Sequence, residues 1–196
     1  MSKKIVWRQV SQENTVIKDA VEALKDVDNL MEANRYFCEL CESISGFEKL
    51  SNNVYRYRDF FINVGKRVFM AAHADGLRIV ADLGLSCLPE LAAYIWLDNG
   101  EDMVLITRIK DSCGQRILPF EGEYQLSEIV RKDIFDDAER LMEKGYTVSS
   151  LINDRSDWYM LEDHSAVIFS NCELVYVSDE AKPALRRRLL AELGLN

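Results

Sequence analysis

At 196 residues, 48% hydrophobic and 29% charged, the chain has the length and apolar content of one ordinary domain, or of one domain with an added helical element. Its net charge of −9 excludes broad attachment to nucleic-acid backbone, which depends on clustered lysines and arginines. Its apolar runs fall short of the roughly 18–20 residues that cross a bilayer, so neither nucleic acid nor membrane is an expected partner.

The first ten residues, MSKKIVWRQV, lack the apolar stretch of a secretory leader, and a cytoplasmic protein is expected. Residues 11–43 read as helix. Ser11 and Asn14 offer capping oxygens, and Val16, Ala20, Ala23, Leu24, Val27, Leu30 and Met31 recur at steps of three and four. A break is expected near Asp28-Asn29, with the helix resuming through Phe37 and Leu40 and stopping at Gly46. Within it, Cys38 and Cys41 have the CxxC spacing of a redox pair or half a zinc site. Cys87, Cys113 and Cys172 stand alone, so no second pair completes a ribbon, and helical spacing also reads the two as small buried residues. An odd cysteine count of five suits a reducing compartment.

Residues 47–50, 54–57 and 60–64 are rich in aromatic and β-branched side chains and read as a three-stranded meander, turning at Asn52-Asn53 and Arg58-Asp59. A helix follows over 68–84 (Met70, Ala74, Leu77, Val80, Ala81 on one stripe), with Gly84 as its stop. Strands at 91–97 and 103–109 are joined by the turn Asp98-Asn99-Gly100-Glu101. The spacing predicts an α+β protein with a five-stranded antiparallel sheet and one helix across it. Beyond Ile109 come a connecting stretch, a helix over 127–144 ended by Gly145, a hairpin of 158–161 and 166–169, a short strand at 174–177, and a last helix begun by Pro183. Its Arg186-Arg187-Arg188 cluster reads as a solvated helix face. Three regions are expected: a helical extension over 1–46, the sheet with its helix over 47–110, and a reduced helical part with a hairpin over 111–196.

This order of elements, together with the segment LGLSCLPELAAYIWLDNGEDMVLITRI at 83–109, resembles the protein-kinase-like fold in its aminoglycoside and choline phosphotransferase branch, over about residues 47–177. The resemblance implies a nucleotide-holding sheet. It also implies a lysine on the third strand for the phosphates, a catalytic-loop Asp and Asn, and a further Asp for magnesium. The chain departs from that pattern at each place. Asn63 stands at the lysine position, and Lys66 follows only after Gly65. Asn52-Asn53 replaces the glycine-rich turn, and the helix offers Asp75 where the family has a glutamate. The catalytic-loop region reads YTVSSLINDRSD, without His-x-Asp, and Ser170 stands at the magnesium aspartate.

Three functions follow. A catalytically degenerate kinase-like protein would act through protein–protein interaction, with no cofactor or metal and with a partner that presents a basic surface. An atypical ATP- and Mg²⁺-dependent kinase would hold nucleotide near Asn52, Asn53, Asn63 and Lys66. It would draw its catalytic and metal groups from Lys66, Asp75, Asp154, Asp157 and Asp163, the last beside His164 in a tight turn facing Asp157. An acidic inhibitor or immunity-type protein would bind through aromatic anchors among Trp7, Tyr55, Tyr57, Trp96, Tyr124, Trp158 and Tyr159. The acidic helix at 133–143 and the N-terminal helix are equal candidates for the contact face. Gly-x-Ser-x-Gly, P-loop, Gly-x-Gly-x-x-Gly and His-Glu-x-x-His motifs are absent from the sequence.

Overall fold

A computed structural model describes residues 5–7, 14–109, 115–120, 126–152 and 155–195. Ser11, Cys113, Tyr124 and Asp154, all singled out above, lie outside the described residues, as does the Trp7 side chain. The protein is α+β, and it divides into two compact units: Met1–Asp75 with Glu90–Gly114, and Gly76–Pro89 with Gln115–Asn196.

The first unit opens with a short strand, β1 (Ile5–Trp7), and two helices, α1 (Thr15–Ala23) and α2 (Leu30–Ser43). The helical region breaks where its sequence suggests. Asn14 caps α1, its Oδ1 accepting from the Ile17 N–H at 3.2 Å. Asn29 caps α2, accepting from Met31 N–H at 3.0 Å and Glu32 N–H at 3.1 Å. The meander β2 (Phe47–Ser51), β3 (Val54–Tyr57) and β4 (Phe60–Lys66) runs straight into α3 (Arg67–Ile79). The hairpin β5 (Glu90–Trp96) and β6 (Asp102–Arg108) completes the expected five-stranded antiparallel sheet, and β1 adds a sixth strand on β5. The order across the sheet is β1-β5-β6-β4-β3-β2.

The sequence separates residues 1–46 from the sheet, yet α1 and α2 share one core with it. Ile17, Val21, Leu24, Ala33 and Phe37 pack with Tyr55, Tyr57, Ile62, Ile95, Val104 and Ile106. The physical reason is the two-sided burial of the central strands. Phe60 to Val64 are buried at every position, so both faces of β4 need a cover, and the helices supply one. Burying an aromatic such as Phe37 completely contributes about 1.5–3 kcal/mol.

The second unit begins inside α3, at Gly76. α3 ends at Ile79, short of the expected Gly84, because the segment after it has other work. Leu85, Cys87 and Leu88 are buried there, and the Cys87 N–H and Ser86 hydroxyl both donate to Asp137 Oδ2, at 2.7 Å and 3.0 Å. Asp137 lies on α4 (Glu128–Glu143), capped by Ser127 and closed by Gly145 at φ +84°, a conformation that suits glycine. Three short strands form a sheet in the order β10-β9-β7: β7 (Ile117–Pro119), β9 (Trp158–Leu161) and β10 (Val167–Phe169). A separate pair joins β8 (Tyr146–Val148) to β11 (Leu174–Tyr176), with the one-turn helix α5 (Ser149–Ile152) after β8 and α6 (Lys182–Leu193) last. β7 and β8 are absent from the sequence reading.

Gly76 lies against the chain between β10 and β11. A Cβ there would stand 2.4 Å from the Cys172 carbonyl oxygen, a backbone atom that cannot step aside alone. Gly76→Ala should therefore lower stability by about 1–3 kcal/mol despite alanine's better helix propensity, as a shift in urea midpoint will show. A stabilised variant would mean that Cys172 is not held this close.

Candidate functional site

The sequence leads to Lys66, and the strand register explains what it does. β4 pairs with β6 over seven residues, and the pairing ends with Lys66 opposite Asp102. Lys66 Nζ lies 2.8 Å from Asp102 Oδ1 and 3.6 Å from Glu101 Oε2. Asp102 is only 2% exposed. Its Oδ2 accepts from the Leu30 N–H at 2.9 Å and from Asn99 Nδ2 at 2.7 Å. Burial pushes the Asp102 carboxyl up, but hydrogen bonds from Lys66, Asn99 and Leu30 outweigh it and hold the group below the ordinary aspartate value. Lys66 moves the other way, its ammonium favoured first by the Asp102 hydrogen bond. One carboxylate thus ties the end of β4, the β5–β6 turn and the start of α2 together.

Next to this knot α3 starts without a loop. The Arg67 N–H donates to the Glu101 carbonyl at 2.7 Å, and its guanidinium sits 4.3 Å from the centre of the Trp96 ring. Those two contacts fix the first turn. Val68 and Phe69, on that turn, are 70% and 62% exposed. They line an open groove of about 620 Å³ with Lys66, Ala71, Ala72, Asp75 and Glu101. Met31, another exposed large apolar residue, follows Leu30, whose N–H Asp102 holds.

Among the described residues proposed as catalytic, nucleotide-binding or metal-holding groups, Lys66 and Asp75 both line this groove. Asn63 is buried in β4, paired with Val54 and Leu105. Asn52 and Asn53 form the exposed β2–β3 turn, and Asn53 Oδ1 accepts from Asn34 Nδ2 on α2 at 3.0 Å. Asp157 and Asp163 flank β9, whose four residues span roughly 13 Å of extended chain, so they do not converge. Asp163 closes its own turn, accepting from the Ser165 N–H at 2.9 Å and Gln115 Nε2 at 2.7 Å. Those bonds, Ser165's first, hold its carboxyl below the usual range. Among the described residues no group of three or more His, Cys, Asp and Glu is placed to hold a metal ion.

The proposed aromatic anchors are mostly interior. Tyr55, Tyr57, Trp158 and Tyr159 are buried, and Trp96 is half-buried beneath Arg67. The residues that sequence reasoning missed are Arg67, Val68, Phe69 and Asp102. A signal for two of them was present: Val68 and Phe69 are large apolar residues off the buried stripe of their own helix. No model of a known protein family matches this chain, and a search of curated proteins finds no match to it either.

Proposed function

We propose that this protein works by binding another protein, and that the partner seats an apolar side chain in the groove at the start of α3. The observation that carries the reading is the exposure of Val68 and Phe69 on a helical turn that Arg67, Trp96 and the Lys66–Asp102 pair hold in place. A pre-organised apolar pair loses little entropy when it is covered. The net charge of −9 gives the partner its character. A basic protein is attracted over distance, whereas a second copy of this chain is repelled.

The scaffold reading that goes with it is a kinase-like sheet without kinase chemistry. Supporting it are the order of three strands, helix and two strands, with Asn63 where a phosphate lysine is expected. Lys66 is also engaged by Asp102 and Glu101.

Photo-crosslinking tests the site, with benzoylphenylalanine in place of Phe69 in the producing cells and the same group at exposed Ile129 as the control. A discrete adduct to a basic protein at position 69 alone is expected. It should weaken with salt and fall about tenfold or more with Val68→Asp. Equal adducts at both positions, or adducts only to a second copy, would overturn the reading. Millimolar ATP with Mg²⁺ should leave the Tm unchanged. A ligand at a hundredfold its Kd would add about 2.7 kcal/mol, so a rise of several degrees would favour the atypical kinase acting through Lys66.

A further inference from the structure

The groove leaves the two cysteines of α2 unused. Cys38 and Cys41 are three residues apart on the helix, so their side chains leave from one face. Both are free thiols, half-buried against the core of the first unit. Their surroundings differ. Lys49 Nζ donates to Cys38 Sγ at 3.8 Å, and the Tyr55 hydroxyl oxygen lies 3.6 Å from the same sulfur. Tyr55 is itself positioned by Asn34, with Oδ1 at 2.8 Å and the carbonyl oxygen at 3.1 Å. At Cys41 burial, then Cys38 and the carboxylates of Glu48 and Glu42, raise the thiol, and Lys49 lowers it. Lys49 Nζ reaches the Cys38 sulfur at hydrogen-bond distance, which sets a positive charge against the atom that would attack.

We propose that Cys38 and Cys41 form a reversible thiol–disulfide pair, in which Cys38 attacks a low-molecular-weight disulfide such as glutathione disulfide and Cys41 resolves the product. The Cys38 thiolate bonds to one sulfur of the oxidant and expels one glutathione thiolate. Cys41 then gives its proton to solvent, attacks Cys38 Sγ and expels the second glutathione. Two protein thiols are oxidised to one disulfide, and glutathione disulfide is reduced to two molecules of glutathione.

The helix makes this bond a labile one. Side chains three apart on a helix hold their Cβ atoms about 5–6 Å apart, whereas a disulfide needs roughly 3.5–4.5 Å. Closing it must tighten the C-terminal turn of α2, where Cys41 lies two residues before the helix ends at Ser43. Strain of that kind makes a disulfide easier to reduce than a structural one. The pair would stay reduced in a resting glutathione pool and close when the pool is oxidised.

The full-length native protein with Cys113→Ser, incubated in graded mixtures of oxidised and reduced glutathione, tests this by peptide mass spectrometry after acid quench and alkylation. Buried Cys87 and Cys172 serve as internal controls. The expected products are a Cys38–Cys41 crosslink and, in the Cys41→Ser variant, a glutathione adduct that persists on Cys38. Cys41→Ala replaces that variant if serine unfolds the helix. Lys49→Ala should slow the first step about two- to fivefold, the effect of losing a solvent-exposed cation. The proposal fails if Cys38 reacts no faster than Cys87 and Cys172, or if the adduct forms first on Cys41. It fails equally if the adduct forms on Cys38 but the crosslink never follows, or if Lys49→Ala leaves the rate unchanged.

Discussion

Asp102→Ala should lower the stability of the protein by about 1–3 kcal/mol, even though the residue sits at the rim of an exposed turn and reads in the sequence like a surface charge. The substitution strands the half-buried Leu30 N–H, which now donates to Asp102 Oδ2 at 2.9 Å, while the exposed Asn99 amide, held at 2.7 Å, is released to water. An unsatisfied N–H of that kind costs about 1–3 kcal/mol. Lys66 adds little to that sum, because it is half exposed and water replaces its partner. Asp102→Asn should cost less, since an amide oxygen still accepts from Leu30 while its NH₂ meets the Lys66 ammonium without attraction.

The pH dependence of that difference has a definite sign. Asp102 titrates below the ordinary aspartate value in the folded protein. Its contribution is therefore complete above about pH 4, the unfolded value, and is lost as pH falls through the lower folded one. Urea midpoints of the wild type and Asp102→Ala should run parallel from neutrality to about pH 5 and draw together in stronger acid. Parallel curves down to pH 2 would show that the carboxylate is not held as its hydrogen bonds indicate. Lys66 contributes at the other end, since its raised value keeps its share until pH climbs beyond that of an ordinary lysine.

Trp158→Ala should be the more damaging change, at about 3–5 kcal/mol. Trp158 packs against Phe169 with ring centres 5.0 Å apart and Phe120 at 5.6 Å, and its indole N–H donates to the Ser150 carbonyl at 2.8 Å. The Arg155 guanidinium lies 4.9 Å from the ring centre. Truncation removes the packing, leaves a cavity and orphans a carbonyl. Trp158→Phe separates these effects, keeping most of the apolar volume and losing the donor, and should cost about 1–2 kcal/mol. Hydrogen exchange will show where the loss falls: β9 and β10 amides should lose protection first. Unchanged protection there would mean that Trp158 is not the centre of its unit.

The sequence made the long elements legible, because periodicity needs length to be seen. The helix break at Asp28-Asn29, the meander and the Asp98-Asn99-Gly100-Glu101 turn all appear where pattern and turn chemistry put them. The strands β1, β7 and β8 have three residues each, too few for alternation to show, whereas the equally short β10 is announced by the tight turn that precedes it. Asp102 and Asp137 were hidden for a different reason. A buried carboxylate looks like any other acid in a sequence, and only the fold brings the distant N–H groups that hold it. The candidate site was half visible. Lys66 was conspicuous after Gly65, but its partner lies 36 positions further on and is fixed by strand register. Asp163 drew notice as a metal ligand because Asp is also the residue that closes turns, and here it closes one.

The absence of any spacer between Lys66, the last residue of β4, and Arg67, the first of α3, has a consequence for how this chain is able to vary. A helix advances about 100° per residue. One residue gained or lost at that junction would turn Val68 and Phe69 a quarter-turn or more away from their present bearing. Substitutions can change what the groove presents, but length changes there would re-aim it altogether. The heading of α3 is thus set by the phase of a sheet strand, and diversification of this face is confined to side-chain replacement.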